Sequence, residues 1–505
     1  MSQLKKLAGD TAVYGLSSII GRMLNYLLVP LYTSVFATGT YGVITELYGY
    51  VAFFNIVYTY GLETAFFRFA TRHGFSEDKV YYNAQSLIIL SSLLFSGILY
   101  FLSPQIASLL DYPDKAHLIR WLGLILGIDA IVAIPYAKLR LEKKAWTFAF
   151  TKIFNISLNI FLNIFFIIIC ANIYRGEFLP ELKSWISWFY NPDWGVDYVI
   201  LSNLIANATL IPIFWRLNRS FTFSLDKQLL RAMLVYAYPL LFMGLAGVTN
   251  EMLSRVLLKY WLPEGFYPGK TSLQALGIFG ACYKLAIFMN LTIQAFRYAA
   301  EPFFFSSSDN KNSPELFAKV MHWFVIVCSF ILIAVSVNLD IIGLIFIRGA
   351  EYREGLHIVP ILLLAYLFLG VYFNLSIWFK LSDQTHYATR ITVVGAILTI
   401  GLNLILIPVL GYTGSALATF GCYFSMAVIC YFIGQRYYYI PYKTFKDLSY
   451  ICGTALLTYA VMQVKLDNQI LATSFHLMIV LVYMGIVVFL ERKELSFFSK
   501  LRKVK

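Results

Sequence analysis

Apolar runs of about 20 or more residues recur along almost the whole chain, and each is long enough to cross a hydrocarbon layer of ~30 Å as a helix. They fall near residues 10–36, 41–70, 81–103, 118–138, 147–171, 197–215, 229–261, 276–305, 317–347, 355–380, 389–409, 412–434, 447–465 and 470–490. Inside a bilayer a segment must satisfy its own backbone hydrogen bonds, so runs of this length are helices. The expectation is an all-α membrane protein of 14 transmembrane helices with both termini on one side.

Charge fixes which side. The net charge of +13 invites a nucleic-acid reading, but its distribution explains it otherwise. Of 40 Lys and Arg, 26 fall in segments on the side of the termini and nine on the other side, and five lie inside helices. The positive-inside rule then makes both termini cytoplasmic, with no nucleic-acid partner. The six cysteines all sit in apolar runs without paired spacing, and are expected to be core residues rather than ligands or a disulfide framework. The histidines are scattered and form no metal or catalytic motif, so neither an enzyme nor a resident metal is expected. The basic start precedes an apolar stretch too long for a cleaved signal, and is expected to remain as the first helix. Residues 173–196, with Trp185, Trp188, Tyr190 and Trp194, form the one longer outer segment. They read as an aromatic interfacial anchor, with sugar stacking as the alternative.

Charges at bilayer depth cost about 2.5–3.5 kcal/mol each on insertion scales, so those inside helices mark function or pairing. The run 276–305 carries Lys284, Arg297 and Glu301. On one straight helix Lys284 and Arg297 would lie about 20 Å apart and on different faces, whereas Arg297 and Glu301, four residues apart, share a face. In the first helix Gly15, Ser18, Arg22 and Asn25 make a narrow polar stripe that must face protein or water. The second helix holds Glu46, Glu63 and Arg68, the fourth Asp129, and the seventh Glu251 and Arg255 at helical spacing. Glu251 with Arg255, and Arg297 with Glu301, read first as ion pairs, while Arg22 has no acid at helical spacing and reads as functional. Asn163 and Asn403 are expected to hydrogen-bond between helices.

The chain also echoes itself. Gly42-Val43-Ile44 with Tyr48 matches Gly277-Ile278-Phe279 with Tyr283, and the Ala65–Ala70 stretch around Arg68 matches Ala295–Ala299 around Arg297. Thr151-Lys152-Ile153 before Asn163 matches Thr389-Arg390-Ile391 before Asn403. Three matches in one order indicate a duplicated unit.

These residues resemble a known group. The stripe with Arg22, Tyr41-Gly42-Val43, Tyr238-Pro239-Leu240, Gln294-Ala295-Phe296 with Glu301-Pro302, Val359-Pro360 and the stretch Asn403 to Gly421 are similar to the polysaccharide transporter branch of the multidrug/oligosaccharidyl-lipid/polysaccharide exporter superfamily. That branch comprises the O-antigen-unit flippases and their lipid II flippase cousins. The resemblance implies two six-helix lobes related by a pseudo-twofold axis (1–218 and 219–436), two extra C-terminal helices with a basic tail (437–505), and a V-shaped cavity worked by alternating access. It implies a bacterial inner-membrane protein that exports a lipid-diphosphate-linked glycan for cell-surface polysaccharide, with polysaccharide-assembly enzymes and membrane lipids as partners. By position, Arg22, Asn25, Arg68, Lys284 and Arg297 would bind substrate, and Glu46, Glu251, Arg255 and Glu301 would couple or gate. No cofactor is implied beyond coupling to H+, Na+ or the membrane potential. The alternatives are a lipid II flippase and a cation-coupled drug or metabolite antiporter of the same fold, with Glu46, Asp129 or Glu251 holding the cation. The residues alone do not show a basic cavity, because acids inside the helices are as numerous as bases.

Overall fold

A computed structural model describes residues 15, 17, 19–71, 75–307, 313–464 and 466–492; the side chains of residues 299, 301, 302 and 305–307 lie outside the description. The described chain is helical and carries no strand. Ten helices are long and apolar enough to cross a membrane, or eleven if one bent pair counts as a single span. The remaining three of the 14 expected spans fall on a shorter apolar helix, α1 (Ile19–Val35), on the broken α2 (Thr38–Thr59) and α3 (Leu62–Ala70), and on α15 (Thr444–Met462). Helices are therefore found at every expected span, but length and composition alone do not establish 14 crossings.

The chain divides into two compact units, residues 1–260 and 261–505. The first contains α1 to α3, α4 (Glu77–Phe101), α5 (Ala116–Leu141), α6 (Ala145–Ile164), α7 (Asp197–Leu217) and α8 (Lys227–Trp261). Ser76 caps α4 by accepting from the Lys79 amide, and Glu77 and Asp78 in its first turn suit the positive helix end. Tyr58, Leu62, Phe66, Tyr81, Leu126, Ile134 and Met233 form a common core under α2, α3, α4, α5 and α8. Lipid tails are as apolar as leucine, so close packing and buried polar contacts, rather than removal from water, hold such helices together. The α4–α5 contact shows this. Gly123 and Gly127 bring α5 so near that a Cβ on Gly127 would lie 2.6 Å from Ser96 Oγ, and that hydroxyl donates to the Gly123 carbonyl at 2.7 Å.

The expected second helix is broken. Tyr60 and Gly61 both adopt positive φ, at 34° and 74°. At Gly61 a Cβ would come within 2.8 Å of Leu240, one residue beyond Pro239 inside α8, so both the conformation and the space call for glycine.

The second unit contains α9 (Ser272–Leu285), α10 (Ile287–Ser307), α11 (Ser313–Val337), α12 (Val359–Leu375), α13 (His386–Leu410), α14 (Tyr412–Tyr437), α15 and α16 (Gln469–Leu490). A capping box between Thr271 and Gln274 starts α9. Residues 276–305 do not form one helix: α9 and α10 meet at 44°, which corrects the straight-helix geometry expected for Lys284 and Arg297. The echoed stretches are thus built alike. In each, the helix breaks and an arginine, Arg68 or Arg297, follows in its second half.

Five cysteines are buried as expected, but Cys452 is exposed, because its face of α15 has no neighbour among the described residues.

Candidate functional site

Most of the acids inside helices turn out to have partners, which the sequence left undecided. Glu46 of α2 is fully buried and accepts from Lys259 Nζ at 3.1 Å, Tyr112 Oη at 2.5 Å and Tyr260 Oη at 2.9 Å. Lys259, one of the nine charges counted on the side away from the termini, has a side chain only 7% exposed, and also donates to the Leu110 carbonyl at 2.8 Å. Burial, and then the Glu46 carboxylate, push the Tyr112 hydroxyl pKa up, so it stays a donor. Glu63 is half-exposed and pairs with Arg140, whose guanidinium also lies over Phe67. Asp129 accepts from Asn207 Nδ2 at 2.8 Å, Asn207 Oδ1 accepts from Asn155 at 3.0 Å, and Lys152 is near enough to act on Asp129 electrostatically. Lys152, within the run 147–171, lies on α6 with its ammonium 4.3 Å from the Tyr136 ring centre.

The arginines differ. Arg22 and Asn25 are exposed on α1, while Gly21 packs against Ile156 of α6, so these two side chains are turned away from that contact; Ser18 of the expected stripe lies outside the described residues. Arg68 is exposed and lies 4.3 Å from the Tyr236 ring centre; Arg297 is half-buried and lies 4.1 Å from that of Phe373. No carboxylate among the described residues forms an ion pair with Arg22, Arg68 or Arg297; the Glu301 side chain is outside the description. A ring face contributes about 0.5–1 kcal/mol at exposed sites and uses none of a guanidinium's five N–H donors. Among the described residues, the contacts of Arg68 and Arg297 are with these rings, which leave the hydrogen-bonding forks unused.

Lys284 is half-buried on α9 and has polar interactions of its own. Arg255 is buried, with its guanidinium against the Met252 sulfur. Glu251 is half-buried on the same helix, and Tyr26 feels Arg255, Glu251 and Arg22 together. Asn163 accepts from Tyr32 at 2.8 Å, linking α6 to α1 as expected, and the Asn403 amide donates to the Thr399 carbonyl of its own helix.

Sequence reasoning missed one buried polar cluster. His322 of α11 is flanked by Asp447 at 2.5 Å and Glu491 at 3.4 Å, and Glu491 also accepts from Lys446 and Tyr450. It ties α15 and the end of α16 to α11. Partners more than 100 residues apart leave no spacing signal.

Comparison with known proteins follows the same lines. Residues 36–178 match the family described as "Polysaccharide biosynthesis protein". Among solved structures, the chain is similar to "Lipid II flippase MurJ, inward closed conformation", with a TM-score of 0.69 and 15% identity over 95% of this chain and 99% of that one. The chain shares that fold. The same fold appears in an inward-facing multidrug resistance transporter of the MOP superfamily, with a TM-score of 0.58 and 13% identity over 84% of this chain and 94% of that one. A multidrug transporter in complex with MaD3S gives 0.57 at 13% identity, over 85% and 95%. No curated protein matches the sequence. The shared fold agrees with the resemblance carried by the motifs and, together with the apolar helices, supports a multi-pass membrane protein.

Proposed function

We propose that this protein is a flippase that carries lipid-diphosphate-linked oligosaccharide units from the inner to the outer leaflet of a bacterial cytoplasmic membrane by alternating access. One observation carries the reading: Glu46, Glu63 and Asp129 are engaged by other groups, while Arg22, Arg68 and Arg297 have no carboxylate partner among the described residues. A diphosphate suits such forks, because charge-assisted bidentate bonds pair two donors with two phosphate oxygens. The membrane potential adds about 2.3 kcal/mol per charge per 100 mV for an anion moving outward. The polysaccharide family match over residues 36–178 and the flippase-like fold support the substrate class. In this reading both termini are cytoplasmic, Arg22, Asn25, Arg68, Lys284 and Arg297 contact the headgroup at successive depths, and Glu46, Glu251, Arg255 and Glu301 serve coupling or gating. The lobes are 1–218 and 219–436, with 437–505 as the C-terminal addition.

The test is a lipid-linked glycan export assay on Arg22 and Arg297 variants. Gln at either position abolishes export while the protein inserts normally, and Lys, which keeps the charge but not the fork, retains part of it. Equal activity of Gln, Lys and native proteins overturns the proposal.

A second reading, a cation-coupled antiporter, draws on the multidrug transporter matches and on the Asp129, Asn207 and Asn155 chain. Drug sensitivity without a glycolipid defect on deletion would select it.

A further inference from the structure

The outer segment between α6 and α7 was open to two uses, and its packing chooses between them. Beyond Ile164 the α6 helix continues through a π-helical stretch, Phe165–Cys170, to Arg175. This turn aims two adjacent rings at the segment that follows. Phe166 stacks on Tyr198 at 4.9 Å, and Tyr198 stacks on Tyr190 at 5.1 Å, while Trp194 closes against Tyr198, Trp121 and His117. His117 and Lys115 reach the buried Asp197 at 2.9 and 2.7 Å. These rings stack on protein, so their faces are not available to a sugar.

Phe165, edge-on to Phe166 at 5.2 Å, packs on a different ring. It stacks on Phe189 at 6.4 Å and 8°, and it continues the aromatic face of α6 that bears the exposed Phe161. Next to Phe189, Trp188 is 92% exposed and Trp185 77%. Depth follows from length. From Ala145, beside Lys143 and Lys144, to Ile164 is 20 residues. At ~1.5 Å per residue this is about 30 Å, the thickness of the hydrocarbon layer. Trp146, 78% exposed, marks one boundary, and Phe165 with its stacked partner Phe189 marks the other.

We infer that residues 173–196 form a membrane anchor whose partner is the headgroup–acyl boundary of the bilayer, with Trp185 and Trp188 inserted among the lipids. Indole suits this depth, with an apolar body in the acyl region and an N–H toward the headgroups. Lys183, beside them and near the Tyr174 ring, places a cation at the phosphate level.

The test uses the full chain in phosphatidylcholine nanodiscs carrying bromines near the headgroup or near the acyl terminus. Native tryptophan emission is compared with that of a Trp185→Phe, Trp188→Phe double variant and of Trp188→Phe alone, the latter as a milder change. The expected result is loss, in both variants, of a component quenched by shallow bromines more strongly than by deep ones. A component quenched by aqueous iodide and by neither lipid overturns the inference, as does one protected by added soluble glycan. These readouts need no transport, so the anchor stands or falls separately from the proposed function.

Discussion

The Glu46–Lys259 pair offers the sharpest quantitative prediction. The Glu46 side chain is fully buried and that of Lys259 is 7% exposed, so neither charge is screened by water. Replacing Lys259 with Met strands the Glu46 charge, which costs about 3–5 kcal/mol for a buried pair, and replacing Glu46 with Gln leaves Lys259 only the exposed Asp111 carboxylate at 3.6 Å. Removing both strands nothing, and replacing a buried pair with neutral groups is often neutral or stabilising. The double-mutant cycle should therefore return a coupling of about 3 kcal/mol or more, against about 0.2–1 kcal/mol for exposed pairs. Lys270–Glu354, with side chains 25% and 52% exposed, is the internal control. The assay is the thermal midpoint of detergent-solubilised protein by size-exclusion chromatography after heating. Both single variants should fall well below native and the double variant should recover. Single variants at the native midpoint, or a double variant as low as the sum of the singles, would refute the buried-pair argument. The same double variant tests gating, since recovered stability with lost export assigns the pair a role in the transport cycle.

Reporter fusions at Lys505 and near Trp188 should report opposite faces of the membrane; the same face for both would refute the expected topology. Exchanging Glu251 and Arg255 should restore most of the activity lost in either single variant if their charges balance one another, and failure at normal protein level would assign Glu251 a coupling role. Gly127→Leu should lower the thermal midpoint more than Gly97→Leu, because a Cβ at Gly127 meets Ser96 while one at Gly97 meets nothing within 4 Å. Asp129→Asn keeps the hydrogen-bonding shape but removes the stronger of the two acids acting on the Lys152 ammonium, leaving Glu63. Export should then fall while Asn207→Ala, which removes a neutral donor to Asp129 and the acceptor of Asn155 but no charge, has the smaller effect.

Local chemistry, which the sequence carries by itself, determined the helical class and the places of the long apolar helices. An apolar run of 20 residues in lipid has no alternative to a helix, whatever its neighbours. The short motifs also sufficed for the superfamily resemblance, and the echo around Arg68 and Arg297 correctly marked two similarly built stretches. Pairing between distant helices was not legible. Glu46 and Lys259 are 213 residues apart, His322 and Asp447 125, and no periodicity relates them. Acids and bases counted from sequence cancelled, and only the tertiary structure showed that Lys259, Arg140 and Lys152 answer the acids while Arg22, Arg68 and Arg297 have no such partner among the described residues. The physical reason is that a charge's role depends on what lies within about 4 Å of it, where Coulomb and hydrogen-bond energies are decided, and packing alone sets that distance.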